Sequence, residues 1–256
     1  MPLYPRGRAG LAREVGVRKA GAVEAIVLAG GFGTRLQSRL NGIPKPMVQV
    51  AGRPFLEILV DRLVDSGFDR VILSVGHLAN VISNHFGNAW RGVPIHYVVE
   101  DEPLGTGGAI RKSLERIHAS SAFVLNGDTW LDVQFNAMNE LHQRTQASIT
   151  LALSHVADTS RYGGVELRDG QVVSFIEKGH EGAGQPRPGL INGGVYILSK
   201  DFPWPANLPA RFSFETDILL PLLPSLKHSV YLSYGKFIDI GIPEDLDRAQ
   251  VELRRP

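Results

Sequence analysis

Two positively charged side chains follow a glycine-rich turn in the stretch from Glu24 to Met47. The turn comes after the apolar run 25–28, whose lack of alternation predicts a parallel strand that is buried on both faces. Glycines after such a strand let a ligand approach the backbone N–H groups closely. Arg35 lies next to these glycines, and Lys45 follows between two prolines. Because N–H donors together with two cations suit an anion, the stretch predicts a polyphosphate site.

Two aspartates later in the chain have surroundings that suit a magnesium ligand. Asp128 follows an apolar strand, and Asp239 lies between two isoleucines. A carboxylate among apolar neighbours at a strand end needs a cation or hydrogen-bond donors. Each aspartate taken singly is equally well explained as a cap of a turn or helix. The pair indicates Mg²⁺, because two carboxylates with phosphate oxygens and waters are what this ion binds in nucleotide sites.

Two common phosphate-binding motifs are excluded by single residues. A dinucleotide fingerprint, G-x-G-x-x-G, would need glycine at the position of Leu36. A Walker A loop ends in G-K-[ST], whereas the only Gly-Lys pair, Gly235-Lys236, is followed by Phe237. The first glycine turn therefore either binds phosphate in another way or is an ordinary connection.

The run L-A-G-G-x-G-T-R-L at 28–36, followed by P-K-P-M at 44–47, resembles the signature of the sugar-1-phosphate nucleotidyltransferases. The resemblance extends from about Glu24 to Leu253. It implies an α/β, Rossmann-like fold of the glycosyltransferase-A type, with a mixed, mainly parallel sheet flanked by helices and a small added β-rich sugar-binding part. It also implies GTP as donor and a sugar 1-phosphate as acceptor, with a heptose favoured over mannose or another hexose, and Mg²⁺ as cofactor.

The resemblance also implies roles for single residues. Arg35, Lys45 and Asp128 are the expected catalytic residues, and Asp128 and Asp239 are the expected metal ligands. Arg35 would hold the departing pyrophosphate, and Lys45 would neutralise phosphate charge during transfer. The expected nucleotide-binding residues are Leu28, Ala29, Gly30, Gly31, Gly33, Thr34, Gly105, Thr106, Gly107 and Asn126.

Two further sets of residues concern the base and the sugar. The run P-L-G-T-G-G at 103–108 favours a purine, because thymidylyl and uridylyl relatives often have glutamine in this region; the alternative is an ordinary glycine turn before a helix. The expected sugar-phosphate residues are Tyr162, Gly163, Glu177, Lys178 and Asn192. Glu177 would accept from sugar hydroxyls, although Glu177-Lys178 alone would be a solvated charge pair. Gly164 replaces a larger residue of many relatives, which bears on sugar fit.

Composition limits the class of protein. The chain has 256 residues, 43% of them hydrophobic, no cysteine and a net charge of +1. These values exclude disulfides and thiolate nucleophiles and give no reason to expect nucleic acid or membrane partners, so a cytoplasmic protein is expected. Residues 1–22 are basic and predict a disordered extension. Residues 23–256 are expected to form one domain with a nucleotide half (23–147) and a sugar half (148–256). An exposed apolar face on the sugar half would support a homodimer.

Apolar periodicity predicts how these residues are positioned. In the first half, strands alternate with helices, which indicates a parallel sheet covered on both faces. The strands are expected at 25–28, 71–75, 95–99 and 122–125, and the helices at 53–66, 81–86 and 109–117. Ligands bind at the carboxyl ends of such strands, so Gly30, the glycines at 105–108 and Asp128 are expected along one rim.

The second half predicts a mixed sheet that gives the first half a second wall. A hairpin is expected around Asp169-Gly170, and a Gly/Pro-rich exposed loop at 179–189. The other expected elements are strands at 149–155, 190–198, 230–233 and 237–240, and helices at 214–223 and from Pro243 onward.

Two other classes of protein remain compatible with parts of the sequence. An NAD-dependent oxidoreductase is suggested only by the α/β pattern, and the missing third glycine counts against it. A nucleotide-sensing subunit without catalytic activity would keep the fold but has no need of both cations and both aspartates.

Overall fold

A computed structural model of the chain describes residues 21–31, 42–176 and 187–254. The strands are β1 (Glu24–Leu28), β2 (Gln49–Val50), β3 (Arg53–Pro54), β4 (Arg70–Val75), β5 (Ala89–Trp90), β6 (Val93–Val99), β7 (Ser121–Asn126), β8 (Thr129–Leu131), β9 (Ile149–Val156), β10 (Gly164–Arg168), β11 (Gln171–Ile176), β12 (Gly189–Ser199), β13 (His228–Ser233) and β14 (Phe237–Asp239). The α-helices are α1 (Phe55–Asp65), α2 (Ala79–Phe86), α3 (Gly105–Leu114), α4 (Phe135–Thr145) and α5 (Pro243–Glu252).

Within the described residues, ten strands form one continuous sheet. Its centre is parallel, with β7, β1, β4 and β6 side by side. The long strand β12 pairs antiparallel with β7 and with β9, and it joins β10 and β11 to the same sheet. The second half of the chain therefore extends the first sheet. Two small ribbons, β2–β3 and β8–β14, lie outside it.

Helices cover both faces of this sheet. In β1, Ala25 and Val27 face one core cluster, which contains α1, α2 and α4, whereas Ile26 faces the other, which contains α3. A strand with both faces buried reads as a continuous apolar run, which is how residues 25–28 read in the sequence. The α/β architecture expected from the alternating pattern is confirmed.

The helix after the second glycine cluster begins earlier than the sequence indicated. It was expected at 109–117, but α3 starts at Gly105, so the glycines form its first turn. Glycine is unfavourable in a helix, which is why the pattern placed the helix after them. Packing explains why glycine nevertheless occurs in this first turn, since an ideal Cβ on Gly107 would overlap the ring of Phe212.

Other elements differ from expectation in detail. The hairpin is confirmed, with Asp169 and Gly170 at positive φ between β10 and β11. The helix expected at 214–223 is instead a π-helix at Glu215–Leu219, a single α-turn at Leu220–Leu222 and a 3₁₀ turn at Leu223–Ser225. Pro221 and Pro224 lie within this helical segment, at the starts of the α-turn and of the 3₁₀ turn. Helix α4 and strand β8 were not expected.

Some expectations concern residues that the structure does not describe. These are residues 1–20, most of the basic extension, and residues 179–186, most of the Gly/Pro-rich loop expected at 179–189. The division into a nucleotide half and a sugar half stays a prediction. In the described ranges, no helix combines the length and apolar character needed to cross a membrane.

A buried carboxylate anchors the start of β1. Glu24 is 2% exposed, and its Oε2 accepts hydrogen bonds from the backbone N–H groups of His118 (2.6 Å) and Ala119 (2.9 Å). Arg70, on the neighbouring strand β4, lies 3.1 Å from the other oxygen. Burial by itself would raise the pKa of Glu24, but these donors outweigh it and hold the pKa below its ordinary value of 4.5.

We expect Glu24→Gln to lower the free energy of unfolding at pH 7 by about 1–3 kcal/mol, because the charged acceptor is lost. A lowered pKa in the folded state stabilises above the unfolded pKa, and this contribution is lost as the pH falls through the folded pKa. The difference between wild type and variant, measured by urea unfolding, should therefore shrink below about pH 4.5. The control is Glu115→Gln, because Glu115 is exposed directly after the end of α3. Equal losses of stability in both variants would contradict the prediction.

Candidate active site

A cavity of about 300 Å³ opens where the carboxyl ends of β1 and β7 meet the start of α3. Its lining residues are Leu28, Gly30, Gly31, Lys45, Pro46, Glu100, Pro103, Gly105, Thr106, Ala109, Asn126, Asp128 and Arg211. The glycine turn, the second glycine cluster and Asp128 thus share one rim of the sheet, as the strand-end rule predicted.

The structure does not bring every expected nucleotide residue to this cavity. Ala29 is buried, and its N–H donates to the carbonyl of Ser74 (2.7 Å). Gly107 is also buried, and its N–H donates to the carbonyl of Phe212 (3.0 Å). Both lie behind the lining. Gly33, Thr34 and Arg35 lie outside the described residues.

The turn after β7 places Asp128 by a close approach of two backbones. The N–H of Gly127 donates to the carbonyl of Leu28 at the end of β1 (2.9 Å). An ideal Cβ on Gly127 would lie 2.5 Å from that same carbonyl oxygen. Only glycine allows this contact, so the sequence Asn126-Gly127-Asp128 turns tightly beside the glycine turn.

Lys45 lies between the two aspartates expected to bind a metal. Its Nζ is 2.5 Å from Asp128 Oδ2 and 3.8 Å from Asp239 Oδ1. The 3₁₀ turn Lys45–Met47, which is preceded by Pro44, holds the lysine at the cavity. The prolines on both sides of Lys45 restrict the backbone of this turn, because each fixes its own φ. Two carboxylates that are far apart in the chain therefore converge on one cation.

Pairing of two short strands brings these aspartates together. In the ribbon β8–β14, Asp239 is opposite Thr129, the residue after Asp128, and the N–H of Ile240 donates to the Asp128 carbonyl (3.0 Å). Asp239 Oδ1 also accepts from the N–H of Gly241 (2.8 Å). Backbone hydrogen bonds thus fix the spacing of the two carboxylates before any ligand binds.

A buried aspartate also holds the backbone at Asp239 in place. Asp245, in the first turn of α5, is 3% exposed and accepts from the Tyr162 hydroxyl (2.8 Å) and from the Asp239 N–H (3.2 Å). Arg248 pairs with its other oxygen at 2.8 Å. Burial and the negative charge of Asp245 raise the pKa of Tyr162, so the phenol stays a hydrogen-bond donor.

A second cavity of about 490 Å³ adjoins the first. Its lining residues are Asn126, Thr129, Tyr162, Gly163, Gly164, Val165, Phe175, Asn192, Gly193, Gly194, Glu215, Thr216, Leu220, Phe237 and Asp239. The expected sugar residues Tyr162, Gly163 and Asn192 are therefore together, whereas Glu177 and Lys178 lie outside the described residues. Asn126 lines both cavities. The cluster of Lys45, Asp128 and Asp239 spans them, because Asp128 lines the first cavity and Asp239 lines the second.

Three charged residues of these cavities were missed from the sequence. Glu100 follows strand β6, so the strand-end rule contained a signal for it. Arg211 precedes the π-helix, and Glu215 begins it. Nothing in the local pattern of these last two residues indicated a site, because packing of their segment against α3 brings them to the cavities.

Residues 24–255 match the model of the family described as nucleotidyl transferase. Because the match covers nearly the whole chain, the chain belongs to the nucleotidyl transferase family. The resemblance carried by the glycine-rich motif is confirmed at this level, and the oxidoreductase alternative is not supported.

Individual relatives are closely similar. The chain is 42% identical to D-glycero-alpha-D-manno-heptose 1-phosphate guanylyltransferase of Aneurinibacillus thermoaerophilus, over 91% of this chain and 99% of the relative. It is 40% identical to the protein of the same name from Campylobacter jejuni, over 87% and 96%. The crystal structure of HddC from Yersinia pseudotuberculosis complexed with GMP-PN is similar with a TM-score of 0.77 and 36% identity, over 91% of this chain and 100% of that one.

Proposed function

We propose that this chain transfers a guanylyl group from GTP to D-glycero-α-D-manno-heptose 1-phosphate, giving the GDP-sugar and pyrophosphate. The full-length similarity to two guanylyltransferases of that specificity supports the proposal. The structural observation that carries it is the pair of adjoining cavities, because the cluster of Lys45, Asp128 and Asp239 spans both. The first cavity would accept the nucleotide and is called the nucleotide cavity below. The second would accept the sugar and is called the sugar cavity. The charged groups lie between them.

The chemistry follows from this arrangement. A phosphate oxygen of the sugar 1-phosphate attacks the α-phosphorus of GTP, a new P–O bond forms, and the bond to the pyrophosphate oxygen breaks. No covalent bond to the protein is needed, so the protein has to align two anions and offset their repulsion. Lys45, which lines the first cavity, would neutralise the α-phosphate, and Arg211 would supply a second cation there. Arg35 is proposed to hold the pyrophosphate.

The donor set at the junction fits Mg²⁺. Asp128 and Asp239 already converge on the Lys45 ammonium group, so a cation between them is compatible with their positions. In the part of the chain that the structure describes, no group of three or more His, Cys, Asp or Glu side chains forms a metal site. Two carboxylates suffice when phosphates and waters complete the shell. When bound, Mg²⁺ would reduce repulsion between the two phosphates.

Glu100 gives a physical reason to prefer guanine. Its carboxylate lines the nucleotide cavity and is held by the Leu104 N–H on Oε2 (3.0 Å) and by the Ser74 hydroxyl on Oε1 (3.1 Å). Each oxygen keeps a further lone pair. Guanine presents two adjacent donors, N1–H and the N2 amino group, that match a carboxylate, whereas adenine presents an acceptor at N1.

A pyrophosphate-release assay tests the proposed function directly. With GTP, ATP, CTP, UTP and dTTP each paired with heptose 1-phosphate, mannose 1-phosphate and glucose 1-phosphate, we expect the highest kcat/KM for GTP with the heptose. A higher value for mannose 1-phosphate or for another nucleotide would favour that substrate instead. No release with any pair would favour the nucleotide-sensing alternative.

Asp128→Asn should lower kcat by about 10²–10³, since removing one such charge contact commonly has this effect. The variant keeps its shape, so its thermal midpoint should change little. Binding of Mn²⁺ in the presence of GTP, followed by electron paramagnetic resonance, should weaken as well. The matched control is Asp201→Asn, which removes the same charge from the exposed turn after β12. Near wild-type turnover in Asp128→Asn would contradict the role of this carboxylate.

Glu100→Gln should reduce the preference for GTP over ITP, because inosine lacks the N2 amino group that the carboxylate would accept from. Loss of a charge-assisted hydrogen bond corresponds to about 10- to 100-fold in kcat/KM. We therefore expect wild type to prefer GTP by that factor and the variant to lose most of the preference. The control is Asp101→Asn, exposed next to it. An unchanged GTP/ITP ratio in Glu100→Gln would exclude Glu100 from base selection.

A further inference from the structure

Glu215 is a charged residue that lines the sugar cavity. It is the first residue of the π-helix Glu215–Leu219, and it lines the second cavity together with Asn192 and Tyr162. π-Helical turns are rare and occur frequently at functional sites. Residues 214–223 were expected to form an ordinary helix, so the wider turn at this position is a feature of the tertiary structure.

Neutral hydrogen-bond donors hold the Glu215 carboxylate. Its Oε2 accepts from the hydroxyl groups of Thr106 (2.7 Å) and Ser213 (3.2 Å). The N–H of Phe214 donates in turn to the Thr106 hydroxyl oxygen (2.8 Å), which fixes the direction in which that hydroxyl donates. The carboxylate is therefore oriented from the nucleotide side, because Thr106 lies in the first turn of α3 and lines the nucleotide cavity.

A second set of contacts reaches Glu215 from β12. Tyr196 is fully buried, and its hydroxyl accepts from Asn192 Nδ2 (2.6 Å). Burial and the negative charge of the neighbouring Glu215 raise the pKa of Tyr196. Asn192 Oδ1 accepts from the N–H of Gly194 (3.2 Å). Asn192 and Glu215 are thus both neighbours of one buried phenol, and both residues line the sugar cavity.

The charge on Glu215 has no matching cation in the part of the chain that the structure describes. Its hydrogen-bond partners there are two hydroxyl groups, and a carboxylate offers about four lone-pair positions. A half-buried carboxylate with spare acceptor capacity favours another donor from the cavity side. A neutral molecule rich in hydroxyl groups supplies such a donor, and a phosphate does not.

We propose that Glu215 is a specificity-determining residue that accepts a hydrogen bond from a hydroxyl group of the sugar 1-phosphate, with its carboxylate oriented by the Thr106 hydroxyl. This inference rests on the proposed function for the identity of the ligand in the second cavity. It adds a direct link between the two cavities: the helix that borders the nucleotide also sets the position of a sugar contact.

The test is Glu215→Gln, which keeps the size of the side chain and removes its charge. We expect KM for heptose 1-phosphate to rise about 10- to 100-fold, as for loss of a charge-assisted hydrogen bond. KM for GTP should stay within about twofold, because the amide can still accept from Thr106. Asp217→Asn, an equal charge change on the exposed side of the same π-helix, is the control.

Analogues of the sugar 1-phosphate that each lack one hydroxyl group give the decisive readout. Wild type should reject one analogue strongly, because a site built to bind a hydroxyl is left with an unpaired acceptor. In Glu215→Gln the penalty for that analogue should largely disappear, whereas the penalties for the others should persist. Unchanged penalties for every analogue, or a rise in KM for GTP alone, would overturn the proposal.

Calorimetric binding of heptose 1-phosphate separates this inference from the proposed function. If wild type binds this sugar at least tenfold more tightly than Glu215→Gln but releases no pyrophosphate, Glu215 keeps its role and the transferase proposal fails. If wild type releases pyrophosphate and both proteins bind the sugar equally, only the Glu215 proposal fails. Thr106→Val adds a second variant: weaker binding of the sugar, caused by a residue of the nucleotide cavity, is expected from the orienting hydrogen bond.

Discussion

The attraction of one ammonium group to two carboxylates organises the site. Asp128 and Asp239 carry like charges that would repel each other if nothing positive lay between them, and Lys45 lies 2.5 Å and 3.8 Å from their oxygens. Asp128 directly precedes β8 and Asp239 ends β14, and backbone hydrogen bonds set the pairing of these two strands. The cost of holding the carboxylates together is therefore met by the fold and by Lys45.

The two cavities meet at this cluster, and each is connected to the other by hydrogen bonds as well as by proximity. Asn126 lines both, and the contact between Thr106 and Glu215 joins a residue of the first cavity to a residue of the second. A transfer between two bound anions needs this kind of fixed relative position, because alignment is most of what the protein contributes. Fixed secondary-structure elements on both sides supply it.

Much of the fold followed from local patterns. Buried strands such as β1 read as apolar runs because both of their faces are covered, and the turn at Asp169-Gly170 has the residues that its backbone requires. The start of α3 did not follow, since glycine disfavours helix and the packing of Phe212 against Gly107 decided otherwise. The π-helix at Glu215 has no local signal at all.

For the site, the sequence by itself determined the kinds of groups: a glycine turn, Lys45, and two aspartates in contexts that need a cation or hydrogen-bond donors. It also determined the family, because the motif 28–36 has several fixed positions besides glycine. Only the tertiary structure decided which groups meet. Pairing between strands distant in the chain brings Asp239 to Asp128, and packing against α3 brings Glu215 to Thr106. Such contacts depend on long-range register, which local composition does not encode.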